Sequence, residues 1–178
     1  MKTILVDVDE VLRDMVNEVL KIYNSFYGTS FTKNDITEYD MRTVLTEIKD
    51  IKQYFCEFAK EVFLNSKSFK NSSKAVQDIK DLGYHIRIVT KQFRGTELYT
   101  LGWLLKHNIN YDSVVFTDDK SWVKGDIIVD DCIDHIKSSK CKTKFLMKRP
   151  WNKKYWNEYQ TVSSMTEVFK ILKNKNGK

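Results

Sequence analysis

The sequence predicts an α/β fold: a three-layered parallel sheet with helices on both faces, and a small helical cap inserted after the first strand and helix. Three features carry that expectation. Short runs rich in Ile, Leu and Val recur without polar alternation, as strands buried on both faces require. Segments of helical period separate them, as parallel crossovers need. One stretch, residues 31–69, is too long for a simple crossover and is charged and aromatic. The expected division is a main body over 1–30 and 70–178, with the cap over 31–69.

The elements follow in order. Residues 3–8 form the first strand. Val11, Met15, Val19, Ile22 and Phe26 repeat at helical spacing, which predicts a helix over 11–26. In "SSKAVQDIKDLG", Ser72 or Ser73 is the expected N-cap and Gly83 the stop. "YHIRIVT" is a strand ending at Thr90, and Thr96 caps a helix running through Lys106. "SVVF", "DIIV" and "KTKFLM" complete five strands. Ser164 with Glu167 makes a capping box for a last helix, through about Leu172.

Composition narrows the function classes. Hydrophobic residues make up 42% of 178, which supports a real core and argues against disorder. No apolar stretch approaches the roughly 20 residues of a membrane span, and no secretion signal is legible at the start. Three cysteines (Cys56, Cys132, Cys141) without metal-ligand spacing fit a reducing, cytoplasmic setting. A net charge of +6 favours anionic partners, phosphate compounds among them.

The strand ends carry the chemistry. In open parallel sheets, ligands bind beyond the carboxyl ends of the strands. Here those ends carry Asp7 and Asp9, then Thr90 and Lys91, then Asp130 and Asp131, with Lys120 and Lys124 in the loop before the last pair. If the strands are neighbours, four carboxylates converge. At about 5 Å and an effective dielectric of about 20, each like-charge pair costs about 3 kcal/mol, so the cluster needs a cation. An oxygen-rich site without soft ligands suits Mg²⁺.

The conjunction of strand–DxD, strand–Thr, lysine and strand–DD resembles the haloacid dehalogenase superfamily of phosphatases. The closer resemblance is to the 5'(3')-deoxyribonucleotidases, through "DVDEVLRD", "DDKSWVKGDIIVDD" and "RPWN". It spans residues 2–152, with a poor match in the cap. The resemblance implies a Rossmann-like core and a Mg²⁺-dependent phosphomonoesterase acting on (deoxy)nucleoside monophosphates. It implies Asp7 as nucleophile, forming an aspartyl-phosphate, and Asp9 as general acid and then base. It implies Mg²⁺ on Asp7, the Asp9 backbone carbonyl and Asp130, with phosphate held by Thr90 and Lys120. The spacing to Asp130 favours Lys120 over Lys124 as the motif lysine, and Asp131 is expected beside the metal or as a helix cap. There are departures: Lys91 stands where a small hydroxyl residue is usual, and Glu10 where glycine is. Lys91, with Arg94, adds positive charge at the phosphate.

Other residues have plainer readings. His85, His107 and His135 support no competing mechanism. Phe31, Tyr39, Tyr54, Phe55, Phe58 and Phe63 divide between cap core and flat surfaces for a base. The charge leaves a polynucleotide end phosphatase or a nucleic-acid-binding relative as the alternative function, and a non-catalytic domain as a third. The expected partner is a small phosphate ester, a nucleotide.

Overall fold

The computed structural model describes residues 1–176. Six strands form one parallel sheet in the order β3-β2-β1-β4-β5-β6. They are β1 (Thr3–Val6), β2 (His85–Thr90), β3 (Ser113–Phe116), β4 (Ile127–Asp130), β5 (Thr143–Met147) and β6 (Thr161–Val162). The helices are α1 (Met15–Tyr27), α2 (Ile51–Glu57), α3 (Ser72–Asp81), α4 (Glu97–Lys106), α5 (Ile133–Ser138) and α6 (Met165–Asn176).

Alternate residues of the central strands enter two different cores, which is why these strands read as continuous apolar runs. Ile4 and Val6 pack with Val76, Leu104 and Val168 of α3, α4 and α6. Leu5 packs on the other face with Val89, Ile128 and Leu146, covered by Ile136 of α5. Gly125, just before β4, permits a close crossing: a Cβ there would sit 2.6 Å from Leu5 Cγ. In the register, Val6 lies level with Ile88 and Val129. The next residue, Asp7, therefore comes beside Asp130 and one step short of Thr90.

Residues between α1 and α3 form short helical pieces: 3-10 turns at Lys33–Asp35 and Met41–Thr43, then α2, then a π-helical turn at Lys60–Asn65. They bury Ile36, Leu45, Phe55, Val62 and Phe63 against Val16, Val19 and Tyr23 of α1, with Trp151. α1 thus faces this third core rather than the sheet's main one.

Several boundaries differ from expectation. The first strand ends at Val6, not Val8, and α1 begins at Met15, not Val11. Between them the chain makes a tight turn: the N–H groups of Leu12 and Arg13 both donate to the Val8 carbonyl at 2.9 Å. Val11 matched the helical period by coincidence, because it packs in the main core instead. The N-cap of α3 is Asn71 at φ 63°, while the Ser73 hydroxyl donates to the Asn108 carbonyl at 2.7 Å. Gly83, at φ 87°, does stop that helix. Thr96 precedes α4, but its hydroxyl turns back to the Phe93 carbonyl. Ser164 accepts from the Glu167 N–H, and Glu167 reaches Ser163 rather than Ser164. β6 is a sixth strand of two residues, too short to leave a pattern.

Candidate active site

The site begins where β1 stops. Asp7 Oδ1 accepts from its neighbour Val8 N–H at 2.8 Å and pairs with Lys120 Nζ at 3.0 Å. Lys120 also pairs with Asp130 Oδ2 at 2.7 Å, and its ammonium is fully buried between the two carboxylates. The loop that delivers it is pinned by Asp119, which accepts from the Ser121 N–H at 2.8 Å. Lys124 is exposed, and its backbone carbonyl accepts from Arg87.

Asp130 has three partners among the described residues: Lys120, the Cys132 N–H and His135. Its Oδ1 accepts from the Cys132 N–H, and both oxygens lie 3.2 Å from His135 Nδ1. Burial would raise this carboxyl, but Lys120 and His135 outweigh it and hold it below the ordinary value. Burial alone would lower His135. Its bonds to Asp130 and Cys132 prevail and carry it up to about 10, so the imidazole is a cation at neutral pH. Burial likewise works against Lys120, and the charges of Asp130 and Asp7 hold its ammonium on.

Asp7 and Asp131 are less well served. Burial, against the opposing pull of Lys120, raises Asp7 from 3.8 to about 6, with Asp130 and Asp9 adding repulsion. Burial and the charges of Asp130 and Asp7 push Asp131 well above the usual carboxylate range. Asp131 Oδ2 accepts from Trp151 Nε1 at 2.9 Å, and Asn152 Nδ2 donates to the Asp131 carbonyl at 2.8 Å. "RPWN" thus holds this carboxylate in place. Asp7, Asp130 and Asp131 can each offer a ligand atom within 4.8 Å of one another. Three carboxylates, two of them raised by burial, fit a small hard cation such as Mg²⁺.

The other expected residues divide. Thr90 Oγ1 is buried at the end of β2 and has no partner among the described residues. Asp9 lies on the turn after β1: Oδ1 accepts from Arg13 Nε at 2.7 Å and Oδ2 from Gln92 Nε2 at 3.2 Å. Asp7 and Asp9 line one cavity although the strand has ended. Lys91 also lines it, but its half-exposed side chain lies 3.8 Å from Asp118 and outside the buried cluster. Arg94 is exposed.

The cavity measures about 490 Å³. Its polar lining includes Asp7, Thr90, Lys120, Asp131 and His135, and its apolar lining Ile36, Met41, Ile51, Phe55, Phe63 and Phe93. Phe55 and Phe93 stack at 5.6 Å between centroids and 26° between planes. Of the six cap aromatics, Tyr39, Phe55 and Phe63 line the cavity. Phe31, Tyr54 and Phe58 pack around α1 instead. Tyr39 lines the cavity at its mouth, with 58% of its surface exposed.

Glu10 departs from the expected glycine, and its φ of 60° explains why glycine suits that position. Ion pairs hold the larger residue there. Its buried carboxylate meets Lys33 Nζ at 2.8 Å and Arg149 Nε at 3.1 Å, and accepts from the Val16 N–H. Arg149 also donates to the Glu10 carbonyl. Arg13, Arg149 and the charged state of His135 escaped sequence reasoning. His135 carried a positional signal, five residues after Asp130 on the following helix.

A family model described as "5' nucleotidase, deoxy (Pyrimidine), cytosolic type C protein" matches residues 1–176. The 5'(3')-deoxyribonucleotidase of Bacillus subtilis (strain 168) is 22% identical, over 96% of this chain and 98% of that protein. The 5'(3')-deoxyribonucleotidase of Bacillus phage SPbeta matches to the same extent. Among solved structures, a Thermotoga maritima protein described as a beta-phosphoglucomutase superposes with a TM-score of 0.61 at 19% identity, covering 98% of this chain and 99% of that one. D,D-heptose 1,7-bisphosphate phosphatase from B. bronchiseptica, solved with magnesium and phosphate, gives 0.56 at 11%, covering 98% and 99%.

Proposed function

The chain belongs to the family of deoxy (pyrimidine), cytosolic type C 5' nucleotidases, within the haloacid dehalogenase superfamily, and on that premise we propose a Mg²⁺-dependent phosphomonoesterase that hydrolyses deoxynucleoside monophosphates through an aspartyl-phosphate on Asp7. Nucleotidase activity is the family's property. The metal, the sugar preference and the residue roles are our reading.

The observation that carries it is the Thr90 hydroxyl, buried without a partner at the strand end beside Asp7 and Lys120. A buried hydroxyl without a partner costs about 1–3 kcal/mol. A phosphoryl oxygen resting on it, with the Lys120 ammonium against the phosphate charge, removes that cost. The metal would be held by Asp7 and Asp130, with the Asp9 carbonyl, and Asp131 beside them. When bound, it neutralises charge on the phosphoryl oxygens.

The side chains then divide the work. An Asp7 carboxylate oxygen attacks phosphorus, the bond to the nucleoside oxygen breaks with its electron pair, and Asp9 gives that oxygen its proton. Asp9, now a carboxylate, takes a proton from water whose oxygen attacks the same phosphorus. The phosphorus–oxygen bond to Asp7 breaks with its electron pair returning to the carboxylate, and inorganic phosphate is released. Residues 31–69 serve as the cap over the core of 1–30 and 70–178. The cavity lies within the roughly 300–1,000 Å³ usual for small-molecule sites. Its aromatic lining supports a nucleobase.

The test is a hydrolysis panel of deoxy- and ribonucleoside monophosphates, sugar phosphates and 3'-phosphorylated oligonucleotides, with Mg²⁺ or EDTA. Deoxynucleoside monophosphates should lead in kcat/KM, and both EDTA and Asp7→Asn should abolish turnover. Faster release of phosphate from oligonucleotide ends would overturn the substrate assignment, and full activity in EDTA the metal.

A further inference from the structure

We propose that Arg13 is the positioning residue for Asp9, fixing the carboxylate from which the leaving oxygen takes its proton; the inference rests on the acid–base reading of Asp9 above. Arg13 has no solvent exposure. Its Nε–H donates to Asp9 Oδ1 at 2.7 Å. Nη1 donates to the Phe63 carbonyl at 2.5 Å, and both Nη groups lie 3.1 Å from Thr100 Oγ1. The rings of Phe63 and Trp103 sit 5.1 and 5.4 Å from its Cζ.

These contacts come from three directions. The inserted segment supplies Phe63, α4 supplies Thr100 and Trp103, and the turn after β1 supplies Asp9. A planar guanidinium gripped on two edges and between two rings has one orientation, so its Nε–H is aimed rather than merely near. Asp9 is its one carboxylate partner among the described residues. The other restraint on Asp9 is the longer bond from Gln92 to Oδ2. Asp9 is therefore anchored through Oδ1, and Oδ2 is the freer oxygen. Proton transfer is steep in distance, and a misplacement of about 1 Å can cost about 10²-fold.

A packing role and a positioning role predict different kinetics. Loss of packing lowers turnover of every substrate together. Loss of Asp9 placement harms only substrates whose leaving oxygen needs a proton. A deoxynucleoside monophosphate expels an alkoxide and needs one, whereas p-nitrophenyl phosphate expels a stable phenolate and does not.

The test measures kcat and KM on both substrates, with Mg²⁺, for Asp9→Asn, Arg13→Lys, Thr100→Val and Thr100→Ser, each checked by a melting curve. Arg13→Lys should lower kcat on the nucleotide by about 10²-fold, the lower end of the usual general acid–base contribution, and on p-nitrophenyl phosphate by less than about 10-fold. KM should stay within about 2-fold on both. Thr100→Val removes a guanidinium contact without touching Asp9; it should show the same selectivity at roughly a tenth of the size, and Thr100→Ser should match wild type. If Arg13→Lys does not fold, Thr100→Val decides. Equal losses on both substrates, or none on either, while Asp9→Asn still discriminates between them, would overturn the role of Arg13. An Asp9→Asn enzyme without that discrimination removes the acid–base reading itself, and the proposal falls with it.

Discussion

Asp7→Asn should make the metal-free protein more stable at neutral pH. Burial raises the Asp7 carboxyl from 3.8 to about 6. Its proton is therefore held roughly 150-fold more tightly in the folded chain than in the unfolded one. At about 1.4 kcal/mol per tenfold, the ionised form costs the fold about 3 kcal/mol at pH 7. The amide keeps what the carboxylate provides locally, since its oxygen can still accept from Val8 N–H and Lys120. Lys120 also keeps Asp130. For a chain of this size, about 3 kcal/mol is a rise in Tm of roughly 6–12 °C.

The pH dependence follows from the sign of the shift. A carboxyl raised in the fold contributes stability that is complete below 3.8 and is lost as pH rises through about 6. The gap between variant and wild type should be full at pH 7.5 and close as pH falls toward 4. Mg²⁺ should reverse the ranking: at about 1,000 times its Kd a ligand adds about 4.1 kcal/mol, and only the wild type retains the Asp7 ligand. The assay is thermal melting by circular dichroism in EDTA and then in Mg²⁺, across that range. A variant that melts at or below wild type in EDTA at pH 7.5, or a gap that ignores pH, would refute the reasoning.

Two further outcomes separate neighbours. Lys120→Ala should cost about 3–5 kcal/mol of stability, as breaking a buried ion pair does, together with most of kcat/KM. Lys124→Ala should leave both unchanged because that side chain is exposed; chemical denaturation and steady-state kinetics on the pair measure this. Phe93→Ala should raise KM for deoxynucleotides by about 10-fold, within the 1–3 kcal/mol that stacking on a base contributes. It should spare a small aliphatic phosphate ester, and equal KM changes on both would remove Phe93 from the base-facing wall.

The readable part of this protein was the part whose partners are set by topology. A parallel sheet forces apolar runs, and its ligand end forces polar residues at the carboxyl termini of the strands. Asp7, Thr90, Asp130 and Asp131 could therefore be found without knowing the strand order. Lys120 was separable from Lys124 by spacing to Asp130, and the structure buries the former and exposes the latter. The element boundaries were less legible where one residue satisfied two patterns. Val11 fits the stripe of α1 and the main core equally, and only the turn closed on the Val8 carbonyl decides for the core.

What stayed hidden depends on contacts between segments far apart in the chain. Arg13 meets Phe63 and Thr100 across 50 and 87 residues, and Glu10 meets Arg149 across 139. No local period marks such pairs. Sequence reasoning could nevertheless have asked one question of "DVDEVLRD": what compensates an arginine set between two buried valine–leucine positions and an aspartate? An apolar site accepts a guanidinium only with a carboxylate in reach and its remaining donors satisfied. Asp9, four residues earlier, is the nearest such group on the same turn. The residue that departs from an apolar context thus points at the residue that does the chemistry, and the same logic applies to Glu10. Its charge in a tight turn requires cations from elsewhere, and Lys33 and Arg149 supply them. Both networks tie the turn after β1 to the inserted segment, Arg13 through Phe63 and Glu10 through Lys33. Substitutions in residues 31–69 that never touch substrate should therefore still reach Asp9 through Arg13.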